Sequence, residues 1–187
     1  MSAKMKKFNF TKLSEKLPST VPFVGPETQE RLNNRLFAAR LGANENVFGP
    51  SPLAIRAMKK EAEKIWMYGD PENHDLKLQL AKKHAVQSEN IVVGEGIDGL
   101  LGYLCRLFIE PGDRVVSSLG AYPTFNFHVA GYGGHLDTVP YVNDYEDPES
   151  LVEKARETNA KLCYLANPDN PMGTWNSGEK IEKAVNN

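Results

Sequence analysis

From residue 90 onward the chain alternates short apolar runs with stretches whose apolar residues recur every three or four positions. That alternation restricts the fold more than any other feature. The short runs fit strands and the longer period fits helices. Asn90-Ile91-Val92-Val93 reads as a strand, and Ile97, Leu100, Leu101, Leu104 and Phe108 mark one face of a strong helix. Glu110-Pro111-Gly112-Asp113 turns the chain into a second strand, Arg114 to Ser118. A helix from Tyr122 to about Tyr132 ends at Gly133-Gly134, and His135 to Val139 is the third strand. Asp147 caps a helix reaching about Thr158, with Pro148 at its first position and Glu149 favourably placed against the helix dipole. Lys161 to Ala166 is the fourth strand, and Ser177 caps a last helix bearing Ile181, Ala184 and Val185. Strands and helices in alternation predict an α/β fold: a mostly parallel sheet with helices on both faces.

Residues 1–50 have weak periodicity and read as an N-terminal arm, with turns at Pro18 and at Pro22 to Pro26 and one short helix near Glu27 to Asn34. Ser51 then caps a helix that Pro52 can open, with Ile55, Met58, Ala62 and Ile65 on one face. A further helix from Asp75 to about His84 turns Leu76 and Leu80 inward. Residues 51–187 are thus expected to form the main, partial domain.

A net charge of −2 gives no reason to expect a nucleic-acid surface. The basic start, Met1 to Lys7, leads into Phe8-Asn9-Phe10-Thr11-Lys12, too polar for a signal peptide. No stretch approaches the ~18 apolar residues that a membrane-spanning helix needs. Cys105 and Cys163 lie inside apolar patterns and read as small core residues of a reducing compartment, so the cytoplasm is the expected location. His74, His84, His128 and His135 have no ligand spacing, and no metal is expected.

Three motifs carry chemistry. Gly94-Glu95-Gly96-Ile97-Asp98-Gly99 links a strand to a helix, so the Ile97 and Asp98 amides fall in the first helical turn and can hold a phosphate. It also matches G-x-G-x-x-G, but a dinucleotide site wants an acid about 20 residues on, at a strand end. Asp113 lies before the second strand, and that strand ends in Ser117-Ser118. A single phosphate is therefore favoured, with a plain tight turn as the bland alternative. Tyr122-Pro123-Thr124-Phe125 follows the second strand on the same rim. Phe125 either covers a flat heterocycle or packs as ordinary core with Phe127. Asn167-Pro168-Asp169-Asn170-Pro171-Met172-Gly173-Thr174 forces an irregular turn where open α/β sheets place ligands. Asn170 can hydrogen-bond a phenolate-type oxygen without forming a salt bridge. The alternative is a structural turn, with one Asn-Pro bond cis. Tyr68-Gly69-Asp70-Pro71 is a loop between helices, open to either a functional or a plain-turn reading.

Taken together these residues resemble the N-terminal half of a class I/II aminotransferase, closest to the histidinol-phosphate aminotransferase group. The likeness runs from about Val21 to Thr174. Leu41-Gly42-Ala43-Asn44-Glu45-Asn46 followed by Gly49-Pro50-Ser51-Pro52 resembles that group's L-x-x-N-E-N-P-x-G-P-S-P segment, and the four later motifs follow in the family's order. The resemblance implies pyridoxal 5′-phosphate (PLP) as cofactor. Gly96, Ile97 and Asp98 would bind its phosphate, Phe125 would stack on its ring, and Asn170 would hydrogen-bond its 3-oxygen. Tyr68 would reach the phosphate in the partner subunit of a homodimer, and Asn44 and Glu45 would lie near the substrate. His128 falls where some relatives carry a histidine near the acid on the pyridine nitrogen. The expected reaction moves an amino group between an amino acid or amino-alcohol phosphate and a 2-oxo acid.

Val47 replaces the family's usual proline, Phe125 its commoner Tyr or Trp, and Ile97 and Gly99 its small residue and Glu. The family carries its covalent lysine, its pyridine-nitrogen acid and its carboxylate-binding arginine well beyond the Asn-Pro run. Lys180 and Lys183 do not fit the lysine's place. The chain is therefore expected to be an incomplete version of a longer enzyme and inactive by itself. A PLP-dependent decarboxylase of the same fold, a non-catalytic phosphate-binding or partner-pairing module, and a dinucleotide-dependent oxidoreductase are the alternatives.

Overall fold

The computed structural model describes residues 9–17, 24–42 and 44–186. The expected turns at Pro18 and Pro22 lie outside the described residues. Contacts divide the chain into two compact units, residues 24–94 and residues 95–187 together with the first 23.

Helix α1 (Lys12–Lys16) is a single short turn capped by the Thr11 hydroxyl. In the unit of residues 24–94, α2 (Pro26–Asn33) opens on a proline and closes on Asn34 in the left-handed region. Helix α3 (Pro52–Glu61) starts as its sequence dictates: Ser51 Oγ accepts the Ala54 amide at 3.1 Å and Pro52 takes the first position. Its expected inward face is not covered, since Met58 is 58% and Ile65 83% exposed. Helix α4 (His74–His84) follows a turn built by Asp70, whose carboxylate accepts the Glu72 and His74 amides at 3.0 and 2.8 Å. Leu76, expected inward, is exposed, and Ala81 is the buried residue of α4.

The expected first strand, Ile91 to Val93, is not one. Ile91 has extended backbone angles, but the segment pairs with no strand among the described residues. A strand is a hydrogen-bonded ladder and not merely an extended conformation.

The second unit holds the sheet. After α5 (Gly96–Phe108), strand β1 (Arg114–Ser118) leads to α6 (Pro123–Gly131), β2 (His135–Val139), α7 (Pro148–Glu157), β3 (Leu162–Cys163) and α8 (Gly178–Asn186). The strands lie in the order β2-β1-β3, all parallel. Arg114 and Asp137 brace the β1–β2 edge through two hydrogen bonds. Because side chains alternate across a strand, β1 feeds two cores. Val115 packs with Leu101, Cys105, Ile109, Phe125 and Val129 under α5 and α6, and Val116 packs with Val139 and Leu151 under α7. Helices therefore cover both faces, as expected. The fourth expected strand, Lys161 to Ala166, shrinks to two ladder residues. It lies at the sheet edge, which leaves Cys163 exposed, not buried as expected; Cys105 is fully buried.

Candidate functional site

Three of the expected site segments fall in the second unit, and a short set of hydrogen bonds joins them. The first is the start of α5. Gly96 has φ +75°, the left-handed region that glycine enters without strain, and it turns the chain into the helix. No side chain caps this end, and the Ile97 and Asp98 amides find no acceptor among the described residues. Glu95 folds back along the helix instead, taking a hydrogen bond from Tyr103 Oη at 2.9 Å. Its carboxylate lies over Gly99, where a Cβ would come within 2.9 Å of Oε2.

The second segment is the start of α6. Asp98 Oδ1 and His128 Nε2 are 2.8 Å apart, which ties the first turn of α5 to α6. The histidine ring needs the close approach that Gly102 permits: a Cβ there would meet its Cε1 at 3.0 Å. Phe125, one turn earlier on α6, is 3% exposed, and its ring stacks on Tyr164 at a centroid distance of 4.6 Å. Phe125 therefore packs in the core under α5 and α6, with one face on Tyr164.

The third is the turn after β3. The Asn170 carbonyl accepts the Tyr122 amide at 3.0 Å, bringing this turn against the residue that precedes α6. Both Asn167-Pro168 and Asn170-Pro171 are cis. The turn is closed by Asp169 N–H to the Thr174 carbonyl at 2.7 Å and Gly173 N–H to the Asp169 carbonyl at 3.0 Å. Asn167 and Asn176 bond reciprocally, the Asn167 Nδ2 to the Asn176 carbonyl at 3.0 Å and the Asn176 amide to Asn167 Oδ1 at 2.9 Å. The Asn170 carboxamide itself has no hydrogen-bond partner among the described residues. Free amides at a helix start and a free carboxamide on an adjoining turn are donors suited to an oxygen-rich, anionic ligand.

The other expected site residues lie in the first unit. Tyr68 is fully exposed beside the Asp70 turn, Asn44 sits in the left-handed region at φ 53°, and Glu45 is exposed. Asp113, the only acid near a dinucleotide position, is occupied structurally: it pairs with Lys161 Nζ at 2.7 Å and accepts the Glu110 amide at 2.7 Å. That ion pair holds its carboxyl below the usual range.

Sequence reasoning missed a buried polar layer beneath the third segment, made by Glu146, Asp169 and Asn176 with the half-buried Tyr141 against it. Glu146 adjoins the Asp147 cap in an acidic stretch, so nothing in the sequence separates it from a solvated acid. Asp169 sits between the two Asn-Pro steps, where only the turn itself is legible. Lys180 and Lys183 lie on α8, which packs on α7 and so on the sheet face away from α5 and α6. No helix among the described residues is long and apolar enough to cross a membrane.

The family model for aminotransferase class I and II matches residues 39–187. The crystal structure of histidinol-phosphate aminotransferase from Sinorhizobium meliloti in complex with pyridoxal-5′-phosphate superposes with a TM-score of 0.92 at 52% identity, over 98% of this chain and 49% of that one. The histidinol-phosphate aminotransferase of Moorella thermoacetica is 32% identical over 87% of this chain and 43% of its own length. That of Anaeromyxobacter is 34% identical over 73% of this chain and 38% of its own. The chain thus spans less than half the length of the curated relatives it matches. It belongs to the class I and II aminotransferase family.

Proposed function

We propose that this chain supplies the phosphate-binding and ring-orienting part of a PLP-dependent aminotransferase of the histidinol-phosphate group. The reaction exchanges an amino group between an amino acid or amino-alcohol phosphate and a 2-oxo acid. The observation that carries this reading is two unpartnered donor sets, the α5 amides and the Asn170 carboxamide, on segments tied to α6, one through His128 and the other through Tyr122 just ahead of it. Bound PLP supplies an electron-withdrawing ring that eases loss of a proton from the amine-bearing carbon.

The residues present fit that group at its polar ends. The Ile97 and Asp98 amides, at the positive end of the α5 dipole, suit a phosphate, and Gly96 sets their direction. His128 draws the Asp98 carboxylate toward α6 and away from that phosphate. Asn170 donates to the ring oxygen and fixes the ring's rotation. Phe125 does not fit as a ring-stacking partner in this arrangement: it is 3% exposed, with one face on Tyr164. By the family resemblance, Tyr68 would serve the phosphate across a homodimer, and Asn44 and Glu45 would serve the substrate. In this reading residues 1–50 act as an arm, residues 51–187 as part of the large domain, and the cytoplasm is the site of action.

The test is a pair of titrations followed by absorbance and fluorescence, one with PLP and one with NAD. Saturable PLP binding, much weakened for pyridoxal without its phosphate, is expected, with none for NAD. NAD binding without PLP binding would overturn the reading.

A further inference from the structure

Beneath the Asn167–Thr174 turn lie two buried carboxyl groups, neither in an ion pair with a cation among the described residues. Glu146 is 1% exposed and Asp169 6%. Glu146 Oε2 accepts the Ala166 amide at 3.3 Å, while its Oε1 has no hydrogen-bond partner. Asp169 Oδ1 accepts from Tyr141 Oη at 3.1 Å and Oδ2 from the Met172 amide at 3.1 Å, so both its oxygens act as acceptors. Glu146 Oε2 thus holds the chain at Ala166, three residues before Asp169, and the Glu146 carbonyl accepts from Asn176 Nδ2 at 2.9 Å, so both carboxyls lie under the same turn. Nearby lysines are engaged elsewhere: Lys180 faces Asp147 at 3.8 Å and Lys183 faces Glu149 at 3.5 Å. Tyr141 from the loop after β2, Ser118 from β1, Cys163 from β3 and Tyr164 just after it complete the surroundings, and none is a cation. Two adjacent buried carboxylates without a counter-charge cannot both remain ionised at acceptable cost.

We propose that Glu146 is a positioning residue whose carboxyl proton is shared with Asp169 and holds the Asn167–Thr174 turn, and with it Asn170, in place. The inference rests on the cofactor reading only for the role of Asn170. Its physical sense is direct. The proton turns the orphaned Glu146 Oε1 into a donor, and Asp169 is an acceptor with lone pairs to spare. The Asn176 side chain, bonded to the Glu146 carbonyl at 2.9 Å, carries the constraint to the far end of the turn. Burial, and then the neighbouring Asp169 carboxylate, push the Glu146 carboxyl up to about 7. Losing the proton places two negative charges under the turn, so the turn loosens as pH rises through that value.

The experiment is amide hydrogen exchange on the purified chain, without PLP, corrected for intrinsic rates and run from about pH 5.5 to about pH 8.5. The readout is protection of the Asp169, Met172 and Gly173 amides relative to those of β1. In the unmodified chain protection is expected to fall about tenfold or more across this range. In Glu146→Gln, which keeps a donor but cannot ionise, it should stay high and flat; in Glu146→Ala it should be low throughout. Asp169→Asn removes the second charge but leaves Glu146 buried, so it should shrink the pH dependence without abolishing it, which keeps the test decisive if one variant folds poorly. Flat protection in the unmodified chain, or an unchanged pH dependence in Glu146→Gln, overturns the proposal. Because no cofactor enters the measurement, a failure of PLP binding leaves its outcome readable.

Discussion

The two units of this chain treat the same kind of helix in opposite ways. Residues 95–186 wrap α5, α6 and α7 around a sheet and bury Leu101, Cys105, Val115, Val116, Val129 and Leu151 almost completely. Residues 24–94 contain helices with equally good caps, yet Ala81 is their one buried apolar residue among those described. Capping and amphipathic spacing therefore specify that a helix forms, while burial depends on a partner surface. Most helical stability in proteins comes from that partner.

The largest expected contrast follows from this difference. Leu151→Ala, in a 1% exposed position of α7, should cost about 2–4 kcal/mol in chemical denaturation, whereas Ile65→Ala, 83% exposed, should cost under about 0.5 kcal/mol. Equal losses would break the comparison.

The buried Glu146 sharpens it with pH. Its carboxyl rises from an ordinary value of 4.5 to about 7 on folding. The folded state thus binds the proton more tightly, and its stabilising contribution is complete below pH 4.5 and lost as pH climbs through about 7. At about pH 8, Glu146→Gln should be more stable than the unmodified chain by about 2–3 kcal/mol, with the advantage gone in acid. Denaturation curves at the two pH values check this.

Caps give a finer contrast. Asp147→Ala removes the acceptor of the Ser150 hydroxyl at 2.6 Å on a helix that belongs to the core, and should lower global stability by about 1 kcal/mol. Ser51→Ala removes the comparable cap of α3 and should raise exchange of the first α3 amides without shifting the global transition. Smallest of all, His128→Asn should weaken PLP binding by about tenfold or less by loosening α5 from α6, and leave the denaturation midpoint almost unchanged.

Much of the second unit was legible because its signals are local. The bounds of β1 and β2 and the caps at Ser51, Asp147 and Ser177 follow from residue type and spacing, and the structure places them where expected. What depends on distant partners was not legible. Ile91 to Val93 is extended but unladdered, Cys163 lies on an edge, and Leu76 has nothing over it. The site follows the same rule. Its turns could be read, and their hydrogen-bonded meeting at α6 is a tertiary fact. The Glu146–Ala166 hydrogen bond joins residues 20 positions apart through neither motif nor period.

The central claim is that the α5 start and the Asn170 turn grip one ligand together. A titration of isotope-labelled chain with PLP, followed by nuclear magnetic resonance, tests it most directly. The backbone amides of Ile97 and Asp98 and the side-chain amide of Asn170 should shift together along one binding curve. Saturation by PLP that leaves these three signals in place would contradict the account.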